Sequence, residues 1–197
     1  MSDVKKAYRL LKRALASRKA VQRVRRRLAE REPHQPEHYQ VAVYFADGDV
    51  NMYQMRQWYR PLAELSKRWP VVVLSRSATG ADKLLDEDGP PVAFVPTIRD
   101  LERFISSQDI RVVLYVNQNT RNFQMFRYGR RWHVFINHGE SDKMYMTTNQ
   151  YKAYDYALVA GQAARDRLSR TLWDWDIDRR TICLLYTSDA ADEGLGV

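Results

Sequence analysis

His138 is the residue of this 197-residue chain best placed by type and context to do chemistry. It follows directly on the apolar run Trp132 to Ile136 and precedes Gly139, as where a buried strand ends and turns outward. An imidazole at such a rim can take a proton from an attacking hydroxyl near neutral pH, or it can simply hold a loop by bonding a carbonyl. Lys143 lies five residues on, with Glu140 and Asp142 between. The lysine could hold a phosphate as a point charge, and the carboxylates could orient the imidazole or a sugar-like hydroxyl. The same charges could equally pair with one another in solvent. A second polar segment, Asp47-Gly48-Asp49-Val50-Asn51, could offer Asp47 and Asn51 to acceptor hydroxyls. Asp-Gly also makes an ordinary turn, and Asn51 an ordinary helix cap.

Other candidate chemistries find less support. His133 sits inside the strand pattern and reads as a packed core histidine; His34 and His38 fall in a proline-containing linker without metal-ligand spacing. The single cysteine, Cys183, allows no internal disulfide and no thiolate zinc site, which suits a reducing compartment. No GxGxxG, GxxxxGK[ST] or GxSxG pattern occurs, which counts against a dinucleotide dehydrogenase, a P-loop nucleotidase and an elbow-type hydrolase. No cofactor and no metal are expected.

The elements that must position these residues alternate. Apolar runs at Gln40 to Phe45, Val71 to Ser75, Val92 to Val95, Val112 to Val116, His133 to Asn137 and Tyr156 to Ala160 read as buried parallel strands. Helical stretches follow at Met52 to Arg68, Ala81 to Glu87, Ile98 to Ser107, Arg121 to Tyr128, Asn149 to Tyr154 and Gln162 to Thr171. This pattern predicts an α/β fold with a doubly wound parallel sheet and right-handed crossovers. Ligands bind such sheets at the carboxyl ends of the strands. The loops expected there are 46–51, 76–80, 117–120 and 137–143, all polar, small or charged. Trp58, Tyr59, Trp69, Trp173 and Trp175 are expected to pack helices onto the sheet.

Charge is distributed unevenly. Residues 1–35 hold twelve Lys and Arg against three Asp and Glu, a net +9, so the remainder of this +8 chain sums to −1. A neutral body argues against a nucleic-acid-binding domain. Residues 3–31 read as one long helix with Val4, Ala7, Tyr8, Leu11, Ala14, Leu15, Val21, Val24 and Leu28 on one stripe and basic residues opposite, ended by Pro33 and Pro36. Such a helix suits an anionic membrane surface, or packs on another domain. No run of about 18 apolar residues exists and the first residues lack a signal peptide's apolar stretch, so the expected location is cytoplasmic. The expected organisation is a basic helix and linker over 1–36, one α/β domain over 37–182, and a foreign tail. From Cys183 the chain reads CLLYTSDAAD, which resembles the translated read-through of a sequencing adapter, so the native frame is expected to continue past Ile182.

At Trp132 to Lys143 the sequence resembles the CDP-glycerol glycerophosphotransferase family, the teichoic acid polymerases and primases, whose signature is W-H-G-[TS]-x-x-K. Here it reads Asn137-His138-Gly139-Glu140-Ser141-Asp142-Lys143, and Tyr44-Phe45-Ala46-Asp47-Gly48 with Asn51 resembles the family's first acceptor-side segment. The resemblance covers about residues 39–182 and implies the N-terminal, acceptor-binding half of a GT-B enzyme. It further implies His138 as base, Lys143 as the signature lysine, a CDP-activated polyol donor, a lipid-linked or polymer acceptor and a site at the inner face of the cell membrane, with residues 3–31 on anionic lipid. A GT-B glycosyltransferase using a nucleotide sugar is the nearest alternative. A response-regulator-like module, with Asp47 and Asp49 in the place of a phosphoacceptor, is a second.

Overall fold

The computed structural model describes residues 2–31, 38–139 and 148–184. The elements run α1 (Ser2–Ala29), β1 (Val41–Phe45), α2 (Met52–Arg56), α3 (Tyr59–Ser66), β2 (Val71–Ser75), α4 (Ala78–Leu84), β3 (Val92–Phe94), α5 (Ile98–Ser107), β4 (Val112–Tyr115), β5 (Trp132–Phe135), β6 (Tyr156–Val159), α6 (Gln162–Thr171), α7 (Ile177–Arg180) and β7 (Thr181–Cys183). All seven strands are parallel, in the order β3-β2-β1-β4-β5-β6-β7. The chain thus winds outward from β1 in one direction and then in the other. The expected doubly wound, Rossmann-like sheet is present, preceded by the expected helix.

Three differences from the sequence reading have local causes. The stretch Met52 to Arg68 is two helices, because the chain makes a turn at Gln57 and Trp58. The connections after β4 and β5 carry short 3-10 helices, Thr120–Gln124 and Asn149–Ala153, instead of full α-helices. A seventh strand, unanticipated, pairs Val159 with Cys183, so Cys183 extends the sheet while residues 185–197 of the tail lie outside the described residues.

Side-chain alternation divides the core. Ala42, Tyr44, Val113, Tyr115 and Phe135 face α5 and α6 with Leu101, Ile105 and Leu168, and Tyr154 stacks on Phe135. Val41, Val43, Phe45, Val71 and Val73 face α2, α3 and α4 with Met55, Leu62 and Leu84. That second face is well covered over β1, β2 and Val92 of β3. Further along it Val112, Leu114, Val134 and Leu158 are half-buried and Trp132 is exposed. Of the tryptophans expected to pack, Trp175 is buried and Trp58 half-buried, but Trp69 is exposed and Trp173 is 81% exposed.

The long helix has two different halves. Arg23 and Arg27 pair with Asp82 at 2.8 and 2.6 Å, Arg27 also reaches Asp86 at 2.7 Å, and Arg31 donates to the Leu85 carbonyl. Four-residue spacing on both helices puts these groups on facing stripes, and Val24, fully buried, seals the contact. Because the partners advance together, α1 runs parallel to α4. Since α4 starts at the carboxyl end of β2, the preceding residues of α1 project past that rim by about 25 Å at 1.5 Å per residue. There the stripe has no cover: Tyr8 is 66% and Leu11 60% exposed. No helix among the described residues is long and apolar enough to cross a membrane.

Candidate functional site

Asp47, Asn117 and His138 leave the sheet just beyond the carboxyl ends of β1, β4 and β5, which are neighbours in it. The switch of winding direction lies between β1 and β4, the position at which doubly wound sheets open a crevice. Around it Asp47, Tyr53, Gln54, Asn117, Gln118, Asn119 and His138 line a polar cavity of about 290 Å³.

A chain of hydrogen bonds sets the site. Asn117 Nδ2 donates to Asp47 Oδ2 and to Gln54 Oε1, each at 2.5 Å, and Asn119 Nδ2 donates to Asp47 Oδ1 at 2.6 Å. With its oxygen taken by Asn117, the Gln54 amide presents its nitrogen to His138 Nε2 at 3.4 Å and to Tyr53 Oη at 3.1 Å. Gln54 is buried on α2, so this orientation has no solvent alternative. The Tyr53 ring lies edge-on to the imidazole, centroids 5.9 Å apart.

On its other side, His138 Nδ1 lies 2.7 Å from the Val116 carbonyl oxygen. A carbonyl only accepts, so Nδ1 carries the proton and Nε2 keeps its lone pair toward Gln54 and the cavity. The backbone that delivers the ring is shaped for it. Asn137 has φ +61°, a conformation asparagine tolerates better than most residues. Its side chain accepts the His138 N–H at 2.8 Å and its carbonyl accepts the Trp58 indole N–H at 2.6 Å. Asn137 is thus the residue that turns the strand end.

The Asp47 loop is seated on α4. A Cβ at Gly80 would fall well inside contact distance of the Asp47 carbonyl oxygen, so only glycine lets the helix approach this closely. Beyond the imidazole a second cavity of about 290 Å³ is lined largely by Trp58, Pro61, Ile136, Leu158 and Leu184. His138 is common to both cavities.

Of the sequence-predicted residues, Asp47 and His138 meet here. Asn51 does not line the cavity; it stands at the start of α2 without a side-chain capping bond. Glu140 and Lys143 lie outside the described residues. Gln54, Asn117, Asn119 and Gln118 were not singled out from sequence. His133 is the core histidine expected, buried with Nδ1 2.7 Å from Tyr115 Oη, and burial pulls its pKa below the ordinary value. No group of His, Cys, Asp and Glu suited to a metal ion occurs among the described residues. Comparison with protein-family models, with curated proteins and with solved structures finds no match to this chain.

Proposed function

We propose that this domain is the acceptor-side half of a transferase that moves glycerol phosphate, or a related polyol phosphate, from a CDP-activated donor to a hydroxyl of a lipid-linked or cell-wall polymer acceptor. The observation that carries this reading is the imidazole at the switch point, with Nδ1 held by the Val116 carbonyl and Nε2 on a polar cavity. The His-Gly-x-x-x-Lys resemblance supplies the reaction class.

In the reaction the acceptor oxygen attacks the β-phosphorus of CDP-glycerol while His138 Nε2 takes the hydroxyl proton. The bond from that phosphorus to the bridging oxygen breaks, and CMP leaves with the electron pair. Positioning and charge stabilisation dominate such transfers. The Val116 carbonyl stabilises the imidazolium as it forms, since Nδ1–H points at it. Lys143 would supply a point charge to a phosphate, and a second Rossmann-like half would hold the donor. The exposed half of α1, Lys5 through Lys19, would lie on anionic lipid at the inner face of the membrane, on the same side of the sheet as the rim.

The test is donor choice. Residues 1–182, joined to a donor-binding half, should release CMP from CDP-glycerol when a lipid-linked acceptor analogue is supplied. Turnover of a nucleotide sugar, with no CMP from any CDP-polyol, would assign the domain to a glycosyltransferase instead.

A further inference from the structure

The hydrogen-bond chain behind His138 has a direction, and that direction is imposed from its far end. The Asn119 side-chain oxygen accepts the Arg121 backbone N–H at 2.8 Å, so Asn119 Nδ2 is the atom turned to Asp47. A carboxylate only accepts, so Asn117 also presents Nδ2 to Asp47. The second proton of that nitrogen goes to Gln54 Oε1, which leaves Gln54 Nε2 as the atom facing His138 Nε2 and Tyr53 Oη. Asn117 and Gln54 are both buried, so neither amide can turn over alone without stranding its partners. At 3.4 Å the last bond is loose, as suits a lone pair that has to be free to take a proton.

We infer that Asp47 is a positioning residue for His138: its carboxylate sets the direction of the chain through Asn117 and Gln54 and so keeps a donor against Nε2, a role that rests on the base function proposed for His138. An isosteric asparagine at position 47 would reverse every member. Its oxygen has to take the Asn119 proton, so its nitrogen faces Asn117. Asn117 then turns its oxygen to that nitrogen, and Gln54 turns in answer to donate to the same oxygen. The Gln54 carbonyl now faces His138 Nε2. With the Val116 carbonyl already on Nδ1, the ring stands between two acceptors, an arrangement that stabilises the doubly protonated imidazolium, which cannot act as a base. Charge alone predicts the opposite sign, because deleting a nearby carboxylate disfavours an imidazolium.

The experiment compares long-range proton–nitrogen spectra of the 197-residue chain and its Asp47→Asn variant at neutral pH. The His138 Nε2 signal should move toward its protonated position in the variant. In a Gln54→Leu background, which cuts the chain, Asp47→Asn should leave that signal where Gln54→Leu alone puts it. The parent gives a second reading that needs no variant to fold: couplings across the hydrogen bonds should run from Asn117 Nδ2 to the side-chain carbonyl carbons of both Asp47 and Gln54. An Nε2 signal that stays in place or moves away from the protonated position, a shift that survives Gln54→Leu, or couplings that run from Gln54 Nε2 to Asn117 would each overturn the assignment. In a protein carrying both halves, Asp47→Asn should lower kcat for CMP release at least roughly tenfold and leave the acceptor KM unchanged. A raised acceptor KM at normal kcat would make Asp47 a substrate ligand and overturn the positioning role. A parent that releases no CMP, with the spectral shift present, would sink the transferase reading and leave the coupling of Asp47 to His138 standing.

Discussion

The Val116 carbonyl oxygen and His138 Nδ1 are 2.7 Å apart, linking the exits of two neighbouring parallel strands. This contact fixes the imidazole tautomer, and among the described residues it is a backbone carbonyl that does so. In long-range proton–nitrogen spectra of the neutral protein, His138 should show a protonated Nδ1 and an unprotonated Nε2. A protonated Nε2 would mean that the cavity faces a donor, which no general base can be.

Gly80 carries the seat of Asp47 although it lies in a helix with no chemistry of its own. Gly→Ala inside a helix ordinarily stabilises by about 1 kcal/mol. Here the added Cβ meets the Asp47 backbone, which cannot swing aside as a side chain could. Gly80→Ala should therefore cost about 1–3 kcal/mol in urea denaturation and disturb the Asn117 and Asn119 side-chain amide signals. A neutral or stabilising effect would show that the Asp47 loop is free to retreat.

His133 makes stability depend on pH. Burial lowers its pKa in the fold, against the favourable field of Asp155, so the unfolded chain binds the proton more readily. The stability this neutral imidazole contributes is complete above the unfolded value of about 6.5 and declines as pH falls from there toward the lower folded value. Replacing His133 by Gln should flatten that part of a melting-temperature profile. An unchanged slope would assign the pH dependence to other groups.

Much of the fold was legible because valine-rich runs mark buried parallel strands wherever they fall. All six expected strands formed within a residue or two of their anticipated ends. β7 escaped because Thr-Ile-Cys is short, carries no turn signal and is stabilised by pairing with β6. The site was half legible. His138 and Asp47 stood out by type and position at strand ends, whereas Gln54 lay inside the helical stretch Met52 to Arg68, where nothing in its type or spacing marks it. Its partner Asn117 is 63 residues away, and only the adjacency of β1 and β4 brings them together.

The two halves of α1 should separate in experiment. Exchanging Lys5, Lys6, Arg9 and Lys12 for Gln should abolish salt-sensitive co-sedimentation with anionic vesicles and leave the melting temperature unchanged, because these side chains are exposed. Arg27→Gln should do the reverse, lowering stability by about 1 kcal/mol through its half-buried pairs with Asp82 and Asp86 while vesicle binding persists. Equal binding of the parent to neutral and anionic vesicles would remove lipid as the partner.

The proposed chemistry is tested most directly by the rate of CMP release from CDP-glycerol at saturating donor and acceptor, comparing His138 with His138→Ala in a protein that carries both halves. Loss of a general base predicts a fall in kcat of roughly a hundredfold or more, with the fold intact because the ring lies at the rim of the sheet. Near-normal turnover by the alanine variant would contradict the assignment and return His138 to the role of a loop tie on the Val116 carbonyl.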